Sequence, residues 1–103
     1  MKEIKLSVGG TAFVFAVSNA EYNKFVDRMS AGKPVQAGFN LLSSTVKQEQ
    51  RATLRELIAD KENQPKAQLV MSLVGEISEE MGEGMPEVVK LQSVKETSAD
   101  ETA

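Results

Sequence analysis

The chain of 103 residues is 41% hydrophobic and 26% charged, a balance typical of one globular domain with a core of modest size. It contains no cysteine and no histidine, which excludes disulfide bonds, thiolate metal sites, cysteine nucleophiles and histidine-dependent catalytic triads. The net charge of −3 and the pI near 5.0 argue against a nucleic-acid-binding face, so protein partners are favoured.

The N-terminus and the hydropathy pattern predict a cytoplasmic protein. Met1–Lys2–Glu3 opens the chain without the apolar segment of a signal peptide. No apolar run approaches the ~20 residues that span a bilayer, so we expect no membrane partner. The aromatic content is 5% with no tryptophan, and the core must therefore be aliphatic and methionine-filled.

The segment from Lys2 to Val17 has the pattern of a β-hairpin, in which Gly9–Gly10 supplies the two positive-φ residues of a tight turn. This turn sets a register whose facing pairs are Val8 with Thr11, Leu6 with Phe13, and Ile4 with Phe15. The apolar residues of both strands then share one face. Because an isolated hairpin is only marginally stable, we expect that face to rest on helices.

A first helix is predicted directly after the hairpin, since Ser18 and Glu21 form a capping-box pattern. Its apolar residues recur at helical spacing and form a narrow face that would pack on the hairpin: Tyr22, Phe25, Val26 and Met29. Gly32–Lys33–Pro34 is expected to end this helix.

The next segment, Val35 to Val46, has a weaker helical pattern, because Gly38, Asn40 and two serines lower its helix propensity. We predict a short helix there. A second capping-box pattern, Thr45 with Gln48, predicts the start of another helix that reaches about Asp60. The buried stripe of that helix would consist of Leu54, Leu57 and Ile58.

The segment from Asn63 to Met81 is predicted to form the central helix. Pro65 suits its first turn, Asn63 or Gln64 its cap, and Gly82 the left-handed position after its end. Its apolar stripe covers about half of the circumference and contains Ala67, Leu69, Val70, Met71, Leu73, Val74, Ile77 and Met81. Such a stripe needs cover from two sides, by other parts of the chain or by a partner. A small domain is expected to leave one flank uncovered, and we predict that this flank, at Met71 and Val74, contacts a partner.

The chain after Gly84–Met85–Pro86 is predicted to form one more short element. Glu87 to Leu91 is rich in β-branched residues, which predicts a third strand that extends the hairpin sheet. Residues 93–103 are mostly polar, and we expect them to be a disordered tail. The predicted fold is thus α+β, a hairpin with this third strand packed on three to four helices in a single domain of residues 1–92.

A row of glutamates follows one side of the central helix and provides a candidate partner-binding surface together with Met71 and Val74. The row consists of Glu76, Glu79, Glu80 and Glu83. It would bind a basic segment of a partner, although a solvated charged face is the commoner explanation of such a pattern. Nothing in the sequence resembles a calcium loop, and we predict no metal site, no cofactor and no catalytic residue.

Two other functions have weaker patterns behind them. Ser43 or Ser44 with Lys47 resembles a serine–lysine catalytic pair, but no oxyanion-hole motif accompanies it, so we predict that the protein is not an enzyme. The helices before and after Lys47 fit a helix-turn-helix arrangement, with Arg51 and Arg55 one turn apart for phosphate contact. Glutamates beside these arginines argue against DNA binding.

Taken in order, these pieces resemble a family of phage tail assembly chaperones, small proteins of long-tailed phages. The resemblance is carried by the Gly9–Gly10 hairpin, the run 18–25, Asn40–Leu41–Leu42 with Thr45–Val46, the run 54–58, and the Pro65-initiated helix through Glu80. It implies a chaperone that binds the tape measure protein, a long and aggregation-prone helical chain. It also implies that the chaperone keeps the tape measure protein soluble until tube subunits polymerise around that protein. The chaperone itself would then be absent from the mature virion.

The resemblance leaves several partners and functions open, and it assigns no catalytic or ligand residue. Another helical tail protein, the tail tube protein or a second copy of the chain remain as partners, with no nucleic acid. The alternative function is a structural tail or head–tail component retained in the particle, and a helix-turn-helix regulator is a third. Some members of the broader group have a longer form made by ribosomal frameshifting, which a protein sequence does not show.

Overall fold

The computed structural model describes residues 1–91, which form a β-hairpin followed by four helices. The strands are β1 (Lys2–Val8) and β2 (Thr11–Val17), and the helices are α1 (Asn19–Ser30), α2 (Pro34–Thr45), α3 (Arg51–Ile58) and α4 (Ala67–Gly82). A short 3₁₀ turn, Gln48–Gln50, precedes α3. The α+β prediction is confirmed, whereas the tail predicted at 93–103 lies outside the described residues.

The hairpin has the predicted turn and the predicted register. Gly9 and Gly10 have φ angles of 58° and 85°, the left-handed values that a two-residue hairpin turn requires. Val8 faces Thr11, and every following pair of the two strands matches the prediction. The apolar face is buried and consists of Ile4, Val8, Phe13, Phe15 and Val17, with Leu6 half-buried.

The outer edge of β2 is covered by the segment that leads into α3. The Lys47 N–H donates to the Val14 carbonyl at 2.9 Å. The Gln50 amide bonds the same strand twice: its Oε1 accepts from the Val14 N–H at 3.0 Å, and its Nε2 donates to the Ala12 carbonyl at 2.9 Å. Since exposed strand edges tend to pair with other chains, this cover protects one side of the sheet.

Helix α1 begins as predicted but packs elsewhere. The Ser18 hydroxyl accepts from the Glu21 N–H at 3.2 Å, and the Glu21 carboxylate accepts from the Ser18 N–H at 3.2 Å, which completes the capping box. The helix packs chiefly against α2, which itself contacts β2. The main contact of α1 is therefore with α2 and not with the hairpin as predicted, although Phe25 of α1 is buried in the same core cluster as the hairpin.

Helix α2 is longer than its propensities indicate, because it packs closely against α4. Pro34 is at its first position, and Gly38 is buried at the contact. A Cβ atom on Gly38 would lie 2.9 Å from Val70 Cγ1 and 3.0 Å from Val74 Cγ2. Gly38 lowers the propensity of the helix but permits the close approach of its neighbour.

The predicted start of α3 at Thr45 is wrong. Thr45 is the last residue of α2, and its hydroxyl donates to the Leu41 carbonyl at 2.7 Å instead of capping a following helix. Helix α3 begins six positions later, at Arg51, without a side-chain cap. The backbone at Val46 and Lys47 is extended along β2, and this pairing delays the helix.

The predicted start of α4 and the left-handed residue after its end are each displaced by two residues. Pro65 pairs with Ala59 in an isolated antiparallel bridge, so the helix begins at Ala67 instead of Pro65. Asn63, the expected cap, has a φ of 62° in the turn before this bridge. At the other end, Gly82 is still helical, and the left-handed residue is Gly84, with a φ of 78°.

No third strand forms in residues 87–91, so that prediction is wrong. In a strand, Val88 and Val89 would point to opposite faces of the sheet. Because helices cover only one face of the hairpin, one of the two valines would be exposed to water. Val88 is 96% exposed. The apolar composition of this segment therefore provides no core contact.

Candidate partner-binding surface

The apolar stripe of α4 is covered by the chain itself. Helix α2 packs against one side of the helix and β1 against another. Val74 is only 3% exposed, so the prediction of a free flank is wrong at this residue. Met71 is half-buried and packs against the core. Gly38 explains the difference from the prediction, because it lets α2 approach closely enough to cover Val74.

The acidic row of α4 lies on the surface. Glu76, Glu79 and Glu83 are exposed, and Glu80 is half-buried. These like charges repel one another, and their position near the C-terminus of the helix opposes the helix dipole. The last turn of α4 contains no basic residue that would offset this cost. The four glutamates therefore do not stabilise the helix.

One ion pair links the acidic row to the N-terminal strand. The Glu83 Oε1 atom lies 3.9 Å from the Lys2 Nζ atom, and both side chains are partly exposed. A surface pair of this kind contributes little to stability. It does show that the end of the acidic row and the start of β1 are neighbours.

The segment directly after the acidic row exposes most of the large apolar side chains found outside the core. The described part of the chain has six large hydrophobic residues on its surface, and four of them fall within residues 85–91: Met85, Val88, Val89 and Leu91. The acidic row and this segment together are called the C-terminal surface below. Sequence reasoning missed the exposed segment, although the adjacent valines, which break strand alternation, were a usable signal.

Methionines extend the apolar character from this segment onto the domain. Met81 and Met85 line a groove between α1 and the end of α4, beside Tyr22 and Ser78. The Tyr22 hydroxyl donates to the Ser78 hydroxyl at 2.9 Å and fixes the two helices at this point. Methionine side chains adapt to varied apolar partners, so the groove can accommodate clients of different sequence.

The serines considered for catalysis take part in local structure. The Ser44 hydroxyl donates to the Leu41 carbonyl at 3.2 Å, and the Ser43 hydroxyl is buried without a partner among residues 1–91. Lys47 is exposed, and no hydrogen bond joins it to either serine within the described residues. The structure thus does not assemble the serine–lysine pair.

The two arginines considered for DNA contact are engaged within the fold. The Arg51 Nε donates to the Ser43 carbonyl at 2.8 Å. The Arg55 guanidinium lies 5.3 Å from the centre of the Phe39 ring, within the range of a cation–π contact. Binding of phosphate groups would have to compete with both contacts.

Residues 1–91 form neither a metal-binding cluster nor a membrane-spanning helix. In residues 1–91 no group of three or more histidine, cysteine, aspartate or glutamate side chains is arranged to hold a metal ion. No helix in that range has both the length and the apolar character needed to cross a membrane.

Comparison with known proteins gives a match to one family. The model of the phage tail assembly chaperone family matches residues 4–90, a range that includes all four helices and nearly all of the C-terminal surface. No curated protein and no solved structure matches the chain. Because the match covers most of the sequence, the chain belongs to the phage tail assembly chaperone family.

Proposed function

We propose that this chaperone binds the tape measure protein of its phage and keeps it soluble during tail assembly, in the cytoplasm of the host cell. The observation that carries the proposal is the C-terminal surface, where Met85, Val88, Val89 and Leu91 are exposed next to four glutamates. Exposed apolar side chains that cluster in one short segment mark an interaction site. A role as a tail assembly chaperone requires such a surface and requires no chemical step.

The chemistry of the surface fits an amphipathic helical client with basic residues. The apolar side chains of residues 85–91 would cover the apolar face of the client helix, and the acidic row would attract its lysines and arginines. Beyond Met85, the segment makes no backbone hydrogen bond within the described residues. Its N–H and C=O groups thus remain available to a partner. Binding is reversible, so tube subunits that cover the same apolar face would displace the chaperone.

The direct test is co-expression with the long helical tail protein encoded near this gene. Val88→Asp and Val89→Asp should abolish copurification and leave the melting temperature unchanged, since both side chains lie outside the core. Met29→Asp is the matched control, because Met29 is exposed on α1 and outside the C-terminal surface. Capture that survives both valine changes would place the client elsewhere on the chaperone.

The acidic row gives a separate prediction about salt. Glu76→Lys combined with Glu79→Lys should weaken client capture at low ionic strength and reduce its dependence on salt, since attraction between exposed charges is screened. Glu49→Lys combined with Glu62→Lys is the control, because it makes the same charge change at exposed positions outside the row. Capture should be measured over a series of salt concentrations. Equal salt dependence in the wild type and in the row variant would contradict a role for these glutamates.

The proposal also includes absence from the finished particle. Mass spectrometry of purified virions should detect the tube and tape measure proteins but not this chain. Detection of the chain in a fixed copy number would instead support a structural tail or head–tail component.

A further inference from the structure

The outer edge of β1 is open. In a hairpin with a two-residue turn, the residues flanking the turn form a hydrogen-bonded pair, and hydrogen-bonded and non-hydrogen-bonded pairs then alternate. Val8 faces Thr11 across the turn, so the backbone groups of Glu3, Lys5 and Ser7 point away from β2. The same alternation directs the backbone groups of β2 residues 12 and 14 outward, which is where the Gln50 and Lys47 contacts occur.

The two edges of the sheet therefore differ. The edge of β2 is covered at residues 12 and 14, whereas no hydrogen bond reaches the outward backbone groups of Glu3, Lys5 and Ser7 within residues 1–91. Unpaired N–H and C=O groups in a row are a template for another strand. Charged side chains often protect such an edge from pairing, so the pattern of charges decides which strand fits.

We infer that β1 pairs with β1 of a second copy, antiparallel, about a two-fold axis at Ile4. In this register Glu3 lies opposite Lys5 of the partner subunit, and Lys5 opposite Glu3 of the partner subunit, so two opposite-charge pairs form at once. Both of these residues have outward backbone groups, and they form hydrogen-bonded pairs on either side of Ile4. Glu3 and Lys5 make no ion pair within the described residues, since the single one there joins Lys2 to Glu83.

The two registers on either side of this one are disfavoured by charge. A two-fold axis at Lys5 places two lysines directly opposite each other, and an axis at Glu3 does the same with two glutamates. The register at Ile4 also keeps the faces consistent, because even-numbered residues of β1 face the core and odd-numbered residues face solvent in both copies. The half-buried Leu6 would gain cover from Lys2 of the partner subunit. The contact is short, so we expect a weak, reversible dimer with concentration-dependent assembly.

The experiment is sedimentation velocity on the full chain over a concentration series. Glu3→Lys and Lys5→Glu should each raise the dimer dissociation constant at least about tenfold, because each replaces both attractive pairs with repulsive ones. An equal mixture of the two variants should dimerise again, since Lys at position 3 of one copy then meets Glu at position 5 of the other. Glu62→Lys and Lys24→Glu are the controls; both positions are exposed outside β1, and these variants should dimerise like the wild type.

A backbone variant tests the pairing independently of charge. Lys5→Pro removes an outward N–H that β2 does not use, so it should abolish the dimer and leave the hairpin folded by circular dichroism. A wild type that stays monomeric up to its highest soluble concentration would overturn the inference. A dimer that persists in both charge variants would also overturn the inference. If the protein is monomeric and the variants at positions 3 and 5 lose only client capture, the edge of β1 binds the client and not a second copy. The sedimentation results do not depend on the client, and client capture is measured only to detect the last of these outcomes.

Discussion

Two helical glycines of this protein have opposite surroundings. A Cβ atom on Gly38 would lie 2.9 Å and 3.0 Å from methyl groups of Val70 and Val74, whereas a Cβ atom on Gly75 would meet nothing within 4 Å. Both positions are in helix interiors, where alanine is preferred to glycine by about 1 kcal/mol. The difference between the two sites is therefore a difference in packing alone.

We predict that Gly38→Ala lowers the free energy of unfolding by about 1 kcal/mol, because an overpacking cost of about 1–3 kcal/mol exceeds the gain in helix propensity. Gly75→Ala should raise the free energy of unfolding by about 0.5–1 kcal/mol, since only the propensity changes. Urea denaturation of both variants measures these effects. Equal stabilisation by the two alanines would mean that α2 moves away from α4 at little cost.

Val74 and Met71 belong to the same stripe of α4 but differ in burial. Val74→Glu should unfold the domain, because an unpaired carboxylate in an apolar site costs several kcal/mol and a small domain has about 5–15 kcal/mol in total. Met71→Glu should leave the protein folded with a lower melting temperature, since Met71 is half-buried. Circular dichroism and client pull-down on the same samples test both. A folded Met71→Glu protein that captures no client would restore Met71 to the binding surface.

Residues whose partners are close in sequence were predictable, and those with distant partners were not. The Gly9–Gly10 turn fixes the hairpin register locally, and the Ser18–Glu21 capping box spans three residues. By contrast, Gln50 bonds Val14 across 36 positions, and no local pattern marks such a partner. The packing role of Gly38 was not predictable for the same reason. Gly38 permits the close approach of α4, a helix that begins about thirty positions later along the chain.

At the scale of elements, the segment between α2 and α3 acts as a partial third strand of the sheet. Val46 forms an isolated bridge with Phe15, and the side chain of Gln50 continues the cover of β2. Thr45 and Gln48 match a capping box in sequence, but tertiary pairing with β2 takes precedence over this local pattern. Pro65 likewise pairs with Ala59 instead of starting α4. Both misplaced helix starts thus arise from short extended contacts that periodicity does not reveal.

This role predicts the effect of removing the Gln50 side chain. Gln50→Ala should lower the free energy of unfolding by about 1 kcal/mol. The variant loses two hydrogen bonds to β2, and water molecules at this partly exposed edge compensate for part of the loss. Gln48→Ala, in the same 3₁₀ turn and exposed, should have almost no effect. Hydrogen exchange at the Val14 amide gives a second measurement, and it should accelerate in the Gln50 variant alone. An unchanged Val14 amide would mean that the edge is protected by the backbone contact at Lys47.

At the scale of the whole molecule, the open edge of β1 and the C-terminal surface lie next to each other. The ion pair between Lys2 and Glu83 joins the start of β1 to the end of the acidic row. The two elements also contact each other directly. Pairing of two copies through β1 would therefore bring two C-terminal surfaces into one dimer. Two linked binding sites hold a long client more tightly than one site does.

The division between core and C-terminal surface predicts the outcome of truncation. A chain that ends at Gln92 should keep both the fold and client capture, because residues 93–103 contain one large apolar residue among mostly polar ones. A chain that ends at Gly84 should keep the fold but lose client capture. It retains the buried stripe of α4 through Met81 but removes the exposed segment with Val88 and Val89.

Thermal melts and client pull-down of the three chain lengths separate binding from folding. The two shortened chains should melt within a few degrees of the full chain, because side chains exposed to water contribute little to stability. A large loss of melting temperature on ending the chain at Gly84 would show that residues 85–91 pack on the domain. Client capture by that same chain would leave the acidic row and the methionine groove, without Met85, as the client-binding surface.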